Sequence, residues 1–391
     1  MLSIRELQCE GQTVFLRVDF NVPLDTNRSI RNDIRIQAAL PTIRFLLERK
    51  ARLIVASHLG RPKGKVVPEL SMEPVARRLR ELIGTEVFLA PSVLGEDVEG
   101  LKASLNDGQV LLLENLRFEP GEKANDPAFA RELARNVDIY VNDAFGACHR
   151  AHASVVGLPA LVGRKAAGFL LDKEVKFLNR VIHSPESPFI AILGGAKVSD
   201  KIPVIRNLLQ KADTLLIGGA MAYTFAAAEG EDVGRSLVEK DMLETARELL
   251  ERSKKHGAAM LFPRDHVTAL AMDEPDGAEI VRGFPLPPDR MGLDIGPETI
   301  ADFTAVISGA RTIFWNGPMG VFEQRAFAQG TLQIAQAVAG SSALSIIGGG
   351  DSVAAVAQSG LSEKISHIST GGGASLEYIA NETLPGLEAL K

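Results

Sequence analysis

Two lysines spaced by four, just after a Gly-Gly-Ala turn, form an arrangement suited to gripping an anion. Lys197 and Lys201 stand so in GGAKVSDK (194–201), at the expected start of a helix and one turn apart, so both can face the same charge. Asp351 follows three glycines at another helix start, a place for a carboxylate that holds Mg²⁺ through phosphate groups. Glu323, closing WNGPMGVFE (315–323), can accept from sugar hydroxyls. A second set lies in the first half of the chain. Asp19 and Asn21 fall in RVDFNVP, His58 and Arg61 in SHLGRPKG, Arg117 after VLLLEN, and His149 and Arg150 after DIYVNDAF, with Arg35 early in the first helix. Arginine binds phosphate oxygens with a planar fork, so such a group can hold a small, multiply charged anion, while Asp19 and Asn21 can accept from its hydroxyl. Any one of these arginines alone reads best as a solvated surface charge; five strand-end loops of this kind do not.

The elements that must position them are short apolar runs alternating with helical stretches. TVFLRV (13–18), RLIVAS (52–57), EVFLA (86–90), VLLLEN (110–115) and DIYVND (138–143) read as buried strands, as do FIAIL (189–193), TLLIG (214–218), AMLF (259–262), TIFW (312–315), LSIIG (344–348) and HIST (367–370). Helices are expected at 33–49, 71–83, 126–136, 172–183, 199–210, 241–256, 297–308, 326–339 and 351–359. Strand–helix alternation implies Rossmann-like, three-layer α/β/α domains with mainly parallel sheets, whose ligands sit beyond the carboxyl ends of the strands. At those ends the first half is cationic. The second half carries glycine loops instead: GGAKVSDK, GGAM (218–221), WNGPMGVFE, GGGDS (348–352) and TGGGAS (370–375). Glycine lets backbone approach a ligand closely, and N–H groups at a helix start favour anions, which suits a nucleotide. Neither GxxxxGK[ST] nor GxGxxG occurs, which disfavours P-loop NTPases and dehydrogenases.

A chain of 391 residues exceeds one ordinary core, so two domains are expected: 1–170, 171–371, and a closing segment 372–391 that returns to the first. The joint is a helix and Pro-containing hinge at 170–188. A net charge of -6 gives no reason to expect nucleic acid. Two cysteines, Cys9 and Cys148, suit a reducing compartment, and no apolar leader or spanning segment is evident, so a cytoplasmic protein without a membrane role is expected.

RVDFNVP, SHLGRPKG, ENLRF, NDAFGACHRAHAS, GGAKVSDKI, WNGPMGVFE, GGGDS and STGGGAS, in that order, resemble the phosphoglycerate kinase family over essentially the full length. The resemblance implies a two-domain hinge enzyme that interconverts 1,3-bisphosphoglycerate plus ADP with 3-phosphoglycerate plus ATP, using Mg²⁺, and a monomer. By position it makes Asp19, Phe20, Asn21, Arg35, His58, Leu59, Gly60, Arg61, Arg117 and Arg150 the phosphoglycerate site. Lys201, Gly292, Glu323, Gly349, Gly350, Asp351 and Ser352 would serve the nucleotide, with Asp351 toward the metal. Arg35, Lys197 and Lys201 would be catalytic. Departures are small: Cys148 stands where alanine is commoner, GGAM replaces a triple glycine, and Ser352 replaces threonine. Read from the residues alone, two alternatives remain, another acyl-phosphate kinase or a silent nucleotide-binding scaffold. The second predicts a lost cation or metal ligand, yet all are present.

The attacking or leaving group in such chemistry is a carboxylate, which needs no general base. Adjacent residues seldom face each other, so Cys148 and His149 are not expected to form a dyad.

Overall fold

Every residue of the first strand, Thr13–Arg17 (β1), is buried, as a strand covered on both faces must be. The structure is a computed structural model that describes residues 2–391. In it β1 joins Arg52–Ala56 (β2), Val87–Leu89 (β3), Val110–Leu112 (β4), Ile139–Asn142 (β5) and Lys165–Ala167 (β6) in the order β3-β4-β2-β1-β5-β6. All pairings are parallel. The chain steps outward from β1 through β2 to β3, returns to β4, then crosses to β5 on the other side of β1. The β1/β5 crevice is therefore the point where connections diverge.

The second half supplies Phe189–Leu193 (β7), Thr214–Ile217 (β8), Ala259–Leu261 (β9), Asp265–Ala269 (β10), Glu279–Arg282 (β11), Met291–Ile295 (β12), Thr312–Asn316 (β13), Leu344–Gly348 (β14) and His367–Ile368 (β15). Six form a parallel sheet in the order β9-β8-β7-β13-β14-β15, the doubly wound arrangement with its switch point between β7 and β13. The expectation of two mainly parallel α/β sheets is met. Valines and isoleucines of the strands pack against helix residues such as Ile43, Leu46 and Leu79 in one half, and Phe303, Ile334 and Val338 in the other. Trp315 on β13 is fully buried and gives its indole N–H to the Gly317 carbonyl at 2.7 Å, which ties the strand to the loop beyond it.

By internal contacts the chain divides into two compact units. One runs through Lys176 and includes Thr383–Lys391; the other is Phe177–Glu382. The first division falls within the helix Phe169–His183.

Three features differ from the sequence reading. The strand β6 is Lys-Ala-Ala, too small to register as an apolar run. A three-stranded antiparallel sheet, β11-β10-β12, sits within the second unit; its edge β11 is largely exposed and carries no buried pattern. The helix Met221–Glu229 is buried nearly all round, so it lacks the amphipathic period by which helices are read.

Candidate active site

Arg17 ends β1 fully buried, with Nη2 3.2 Å from Nδ1 of His58 on the loop after β2 and Nη1 donating to the Val18 carbonyl. Arginine only donates, so Nδ1 must offer its lone pair and the ring proton sits on Nε2. That nitrogen lies 3.9 Å from Asp19 Oδ1, while Arg35 gives Nη1–H to Asp19 Oδ2 at 2.7 Å. Arg35 occupies the first turn of the helix Ile34–Glu48.

Burial alone would raise the Asp19 carboxyl, but His58, Arg35 and Arg17 and the Asn21 N–H hold it below its ordinary 3.8. His58 is pushed well below 6.5, by burial first and then by Arg17, Arg117 and Arg35 against the pull of Asp19. With three guanidinia around the pair, a neutral imidazole beside an ionised carboxylate is the state that stands, and Arg35 and Arg17 then carry the effect on Asp19.

Beyond this pair, Asn21 Oδ1 accepts from the Gly60 N–H at 2.9 Å, and Arg117 Nη1 donates to the Gly60 carbonyl at 2.7 Å. Gly60 adopts a φ of +62° with Leu70 where a Cβ would go, so only glycine suits the turn. Arg61 follows it, exposed. Arg150 donates to His149 Nε2 at 2.9 Å. Burial, and then repulsion from Arg150 and Arg17, pushes Arg117 down to about 10. The rim is thus a cluster of cations short of negative charge. Phe20 and Leu59 point into the core and offer it no polar side chain; the Leu59 N–H and C=O are both engaged by Asn115. Cys148 is fully buried and pushed up to about 12 by that burial, an inert thiol.

In the second unit a cavity of about 260 Å³ opens at the β7/β13 switch point, lined by Gly194, Gly195, Lys197, Asp200, Lys201, Asn316, Gly317, Gly349, Gly350, Asp351 and Ser352 among others. Its walls are backbone pressed on backbone. A Cβ on Gly194 would lie 2.0 Å from the Pro318 carbonyl oxygen, and one on Gly317, at φ +96°, 2.2 Å from that of Gly194. Gly194→Ala is accordingly expected to destabilise the chain by about 2–3 kcal/mol or more, read as a lower midpoint in denaturant unfolding. An unchanged midpoint would refute the close approach.

The lysines do not share a helix face as expected. The helix begins only at Ile202, where Pro203 suits the first turn because its missing N–H would be unpaired there anyway. Lys197 stays in an exposed turn, and Lys201, the N-cap, is buried with Nζ donating to Asn316 Oδ1. Both still line the same cavity. Burial pushes the Lys201 ammonium down to about 8, partly opposed by Asp200 and Asp351. Ser352 accepts from the Gly317 N–H at 2.6 Å, and exposed Asp351 stands in the first turn of the helix Gly350–Gln358.

Gly292 and Glu323 do not line this cavity. Gly292 is buried in β12, donates to Ser236 Oγ at 2.9 Å, and has the Tyr223 hydroxyl where a Cβ would be; Glu323 is exposed on the loop after β13. A larger cavity of about 610 Å³ in the first unit is walled by the 27–33 loop and the helix Glu73–Ile83. Arg77 and Arg78 there are already ion-paired with Glu73, Asp33 and Glu81. No strand-end residue singled out above lines it.

Sequence reasoning passed over Arg17, Asp200 and Asn316. For Arg17 the signal was present: a charge at the end of an otherwise apolar strand must be paired or sit at a site.

Two doubly wound units, one rimmed by guanidinia and the other by a glycine-walled cavity holding a buried lysine, define the class of two-unit α/β phosphotransferases. The family model described as phosphoglycerate kinase matches residues 4–382. The chain is 54% identical over 389 residues to a phosphoglycerate kinase of Anaeromyxobacter dehalogenans, covering 99% of this chain and 98% of that one. It is also 54% identical over 391 residues to one from Chlorobium phaeobacteroides, with 99% and 98% covered. The solved phosphoglycerate kinase structure from Coxiella burnetii superposes with a TM-score of 0.91 at 40% identity, covering 100% of this chain and 98% of that one. This chain belongs to the phosphoglycerate kinase family.

Among the described residues, no helix is long and apolar enough to cross a membrane.

Proposed function

We propose that the first unit binds 3-phosphoglycerate or 1,3-bisphosphoglycerate and the second binds ADP or ATP, and that a phosphoryl group passes in line between them. The observation that carries the reading is the set of guanidinia gathered around neutral His58: Arg117 is lowered to about 10 by burial first and then by repulsion from Arg150 and Arg17, a repulsion that a multiply charged anion relieves. Arg61, Arg117 and Arg150 take the phosphate end, Asp19 and Asn21 the substrate hydroxyl, and the His58 Nε2–H and Arg35 the carboxyl end. Phe20, Leu59 and Gly60 shape the loops that hold them. Lys197, Lys201 and the 349–352 loop take the nucleotide phosphates, and Gly292 and Glu323 the adenosine side.

Mg²⁺ fits this donor set. Among the described residues there is no cluster of three or more carboxylates, histidines or cysteines, and Asp351 stands in the phosphate-sized cavity. One carboxylate plus phosphate oxygens and waters is how Mg²⁺ is usually held. Bound there by Asp351, it would neutralise phosphate charge. The chain's own residues do the rest: Arg35, Lys197 and Lys201 cancel charge on the equatorial oxygens. A carboxylate is already a competent nucleophile, and neutral His58 donates rather than abstracts.

The two reactants must meet, so closure about a hinge at 170–188 belongs to the reading, and it would also shield the acyl phosphate from water. We further read the protein as a cytoplasmic monomer, in keeping with two free, buried cysteines; a dimer on sedimentation would count against it. The deciding experiment is ATP formation from ADP and 1,3-bisphosphoglycerate, with EDTA and other acyl phosphates as arms. Turnover with the triose acid only, lost in EDTA, is expected, together with a smaller radius of gyration when both ligands are present. Equal rates with acetyl phosphate would refute the substrate assignment.

A further inference from the structure

We propose that Glu122 and Ser154 are positioning residues for the phosphoglycerate site, orienting the buried Arg17 guanidinium and through it fixing His58 with its proton on Nε2. This rests on reading the cationic rim as that site.

Glu122, in the short helix Pro120–Ala124, is fully buried. Its Oε1 accepts from the Ser154 hydroxyl at 2.6 Å and its Oε2 from the Ser154 N–H at 2.9 Å. A serine hydroxyl has one proton. Given to Glu122, it leaves a lone pair facing the Arg17 Nε–H, which lies 2.9 Å from Ser154 Oγ. Arg17 then aims Nη2–H at His58 Nδ1. Every link has a direction, because the arginine end cannot accept; burial raises the Glu122 carboxyl above its ordinary 4.5, while Arg17 and the two Ser154 hydrogen bonds favour the ionised form that only accepts.

Two neighbours sharpen the point. Tyr140 donates to the Ser154 carbonyl at 2.8 Å, so the serine backbone is pinned. His152 Nδ1 stands 3.8 Å from Glu122 Oε1, beyond hydrogen-bond reach, and does not compete for the carboxylate. The Arg17 charge acts on both the Glu122 and the Asp19 carboxyls, so the guanidinium lies between two acids while Arg35 pairs directly with Asp19. A neutral imidazole has two tautomers: the guanidinium within hydrogen-bond distance of Nδ1 selects the Nε2–H form directly, and ionised Asp19, 3.9 Å from Nε2 and beyond hydrogen-bond reach, favours the same form more weakly. With the other tautomer, a lone pair would face an anionic substrate.

Glu122→Gln keeps the shape but lets an amide N–H₂ donate to Ser154, turning the hydroxyl toward an Arg17 Nε–H that cannot accept. The test is long-range ¹H–¹⁵N spectroscopy of the His58 ring in the full chain, with 3-phosphoglycerate titrations, for wild type, Glu122→Gln and Ser154→Ala. The wild type should show one tautomer, protonated at Nε2. Both variants should show a mixture and bind 3-phosphoglycerate on the order of tenfold more weakly, with ADP affinity unchanged. A wild-type tautomer in both variants, or mixed tautomers with unweakened binding, overturns the proposal. Should Glu122→Gln fail to fold, Ser154→Ala carries both readouts, since it keeps the backbone bond to Glu122. A wild type that ignores 3-phosphoglycerate but holds one tautomer that both variants lose overturns the functional reading and leaves the relay standing.

Discussion

A chain carrying Lys201→Met should turn over on the order of 10²–10³-fold more slowly, yet unfold no cooler than wild type and up to a few degrees hotter. The loss follows from the role proposed for Lys201: a cation fixed where charge develops on the transferring phosphoryl is worth several powers of ten. The gain follows from its burial. In the folded chain the ammonium sits at about 8 rather than 10.5, so at pH 7 its protonated form costs stability of about 3 kcal/mol. Removing the charge relieves that cost, less about 1.5–3 kcal/mol for the lost charged bond to Asn316, which leaves a net gain of about 0–1.5 kcal/mol. The sign with pH follows. Below 8 the penalty is fully present, and it fades as pH rises toward 10.5, because the folded state releases its proton first. Nucleotide affinity runs the other way. It should hold below pH 8 and weaken above it, by up to about tenfold per pH unit, because the polyphosphate needs the ammonium. In Lys201→Met both slopes should be absent. Thermal scans and ADP titrations from pH 6.5 to 9.5 check this, and a wild type whose ADP affinity is flat across that range would remove Lys201 from the nucleotide site.

Much of this was legible because ligand-binding chemistry and fold leave different marks in the chain. Uninterrupted apolar runs such as FIAIL and TIFW announced buried parallel strands, and the loops after them had to line the carboxyl edge. Hence Gly349, Gly350, Asp351 and Ser352 could be placed beside Lys197 and Lys201 without coordinates, as the cavity at β7 and β13 has it. What escaped was set by tertiary packing. Whether a glycine serves a ligand, a neighbour or both is not written in its own letter: Gly292, assigned to the adenosine side, also has the Tyr223 hydroxyl where a Cβ would lie. Arg17, a charge ending an apolar strand, signalled that it must have a partner, but the identity of that partner appears only with Ser154, 137 positions away. The helix Met221–Glu229 and the edge strand β11 failed for opposite reasons, one too apolar and the other too polar to show a period. Lys201 was placed on a helix face that Pro203, read more strictly, rules out.

Arg35→Ala should lower kcat on the order of 10²–10³ while changing KM for 3-phosphoglycerate far less. Interactions made equally with substrate and transition state appear in KM, whereas those realised only as the phosphoryl moves appear in kcat. Arg61, Arg117 and Arg150, assigned to a phosphate that does not react, belong to the first kind, and alanine at Arg117 should act mainly on KM. Arg35 belongs to the second. Its ion pair with Asp19 at 2.7 Å holds the guanidinium in place while a third of its side chain stays exposed. The Asp19 end of the pair is only 11% exposed, so Arg35→Ala leaves a largely buried carboxylate to Arg17 and the Asn21 N–H, and a loss of stability should accompany the kinetic loss without preventing folding. Arg35→Lys separates charge from geometry. A lysine keeps the positive charge but loses the planar fork, and should recover only part of the rate. Steady-state kinetics in the ATP-consuming direction, with 3-phosphoglycerate as the varied substrate, distinguish the cases. A near-normal kcat for Arg35→Ala, or a loss confined to KM, would move Arg35 from the reacting centre to the binding rim.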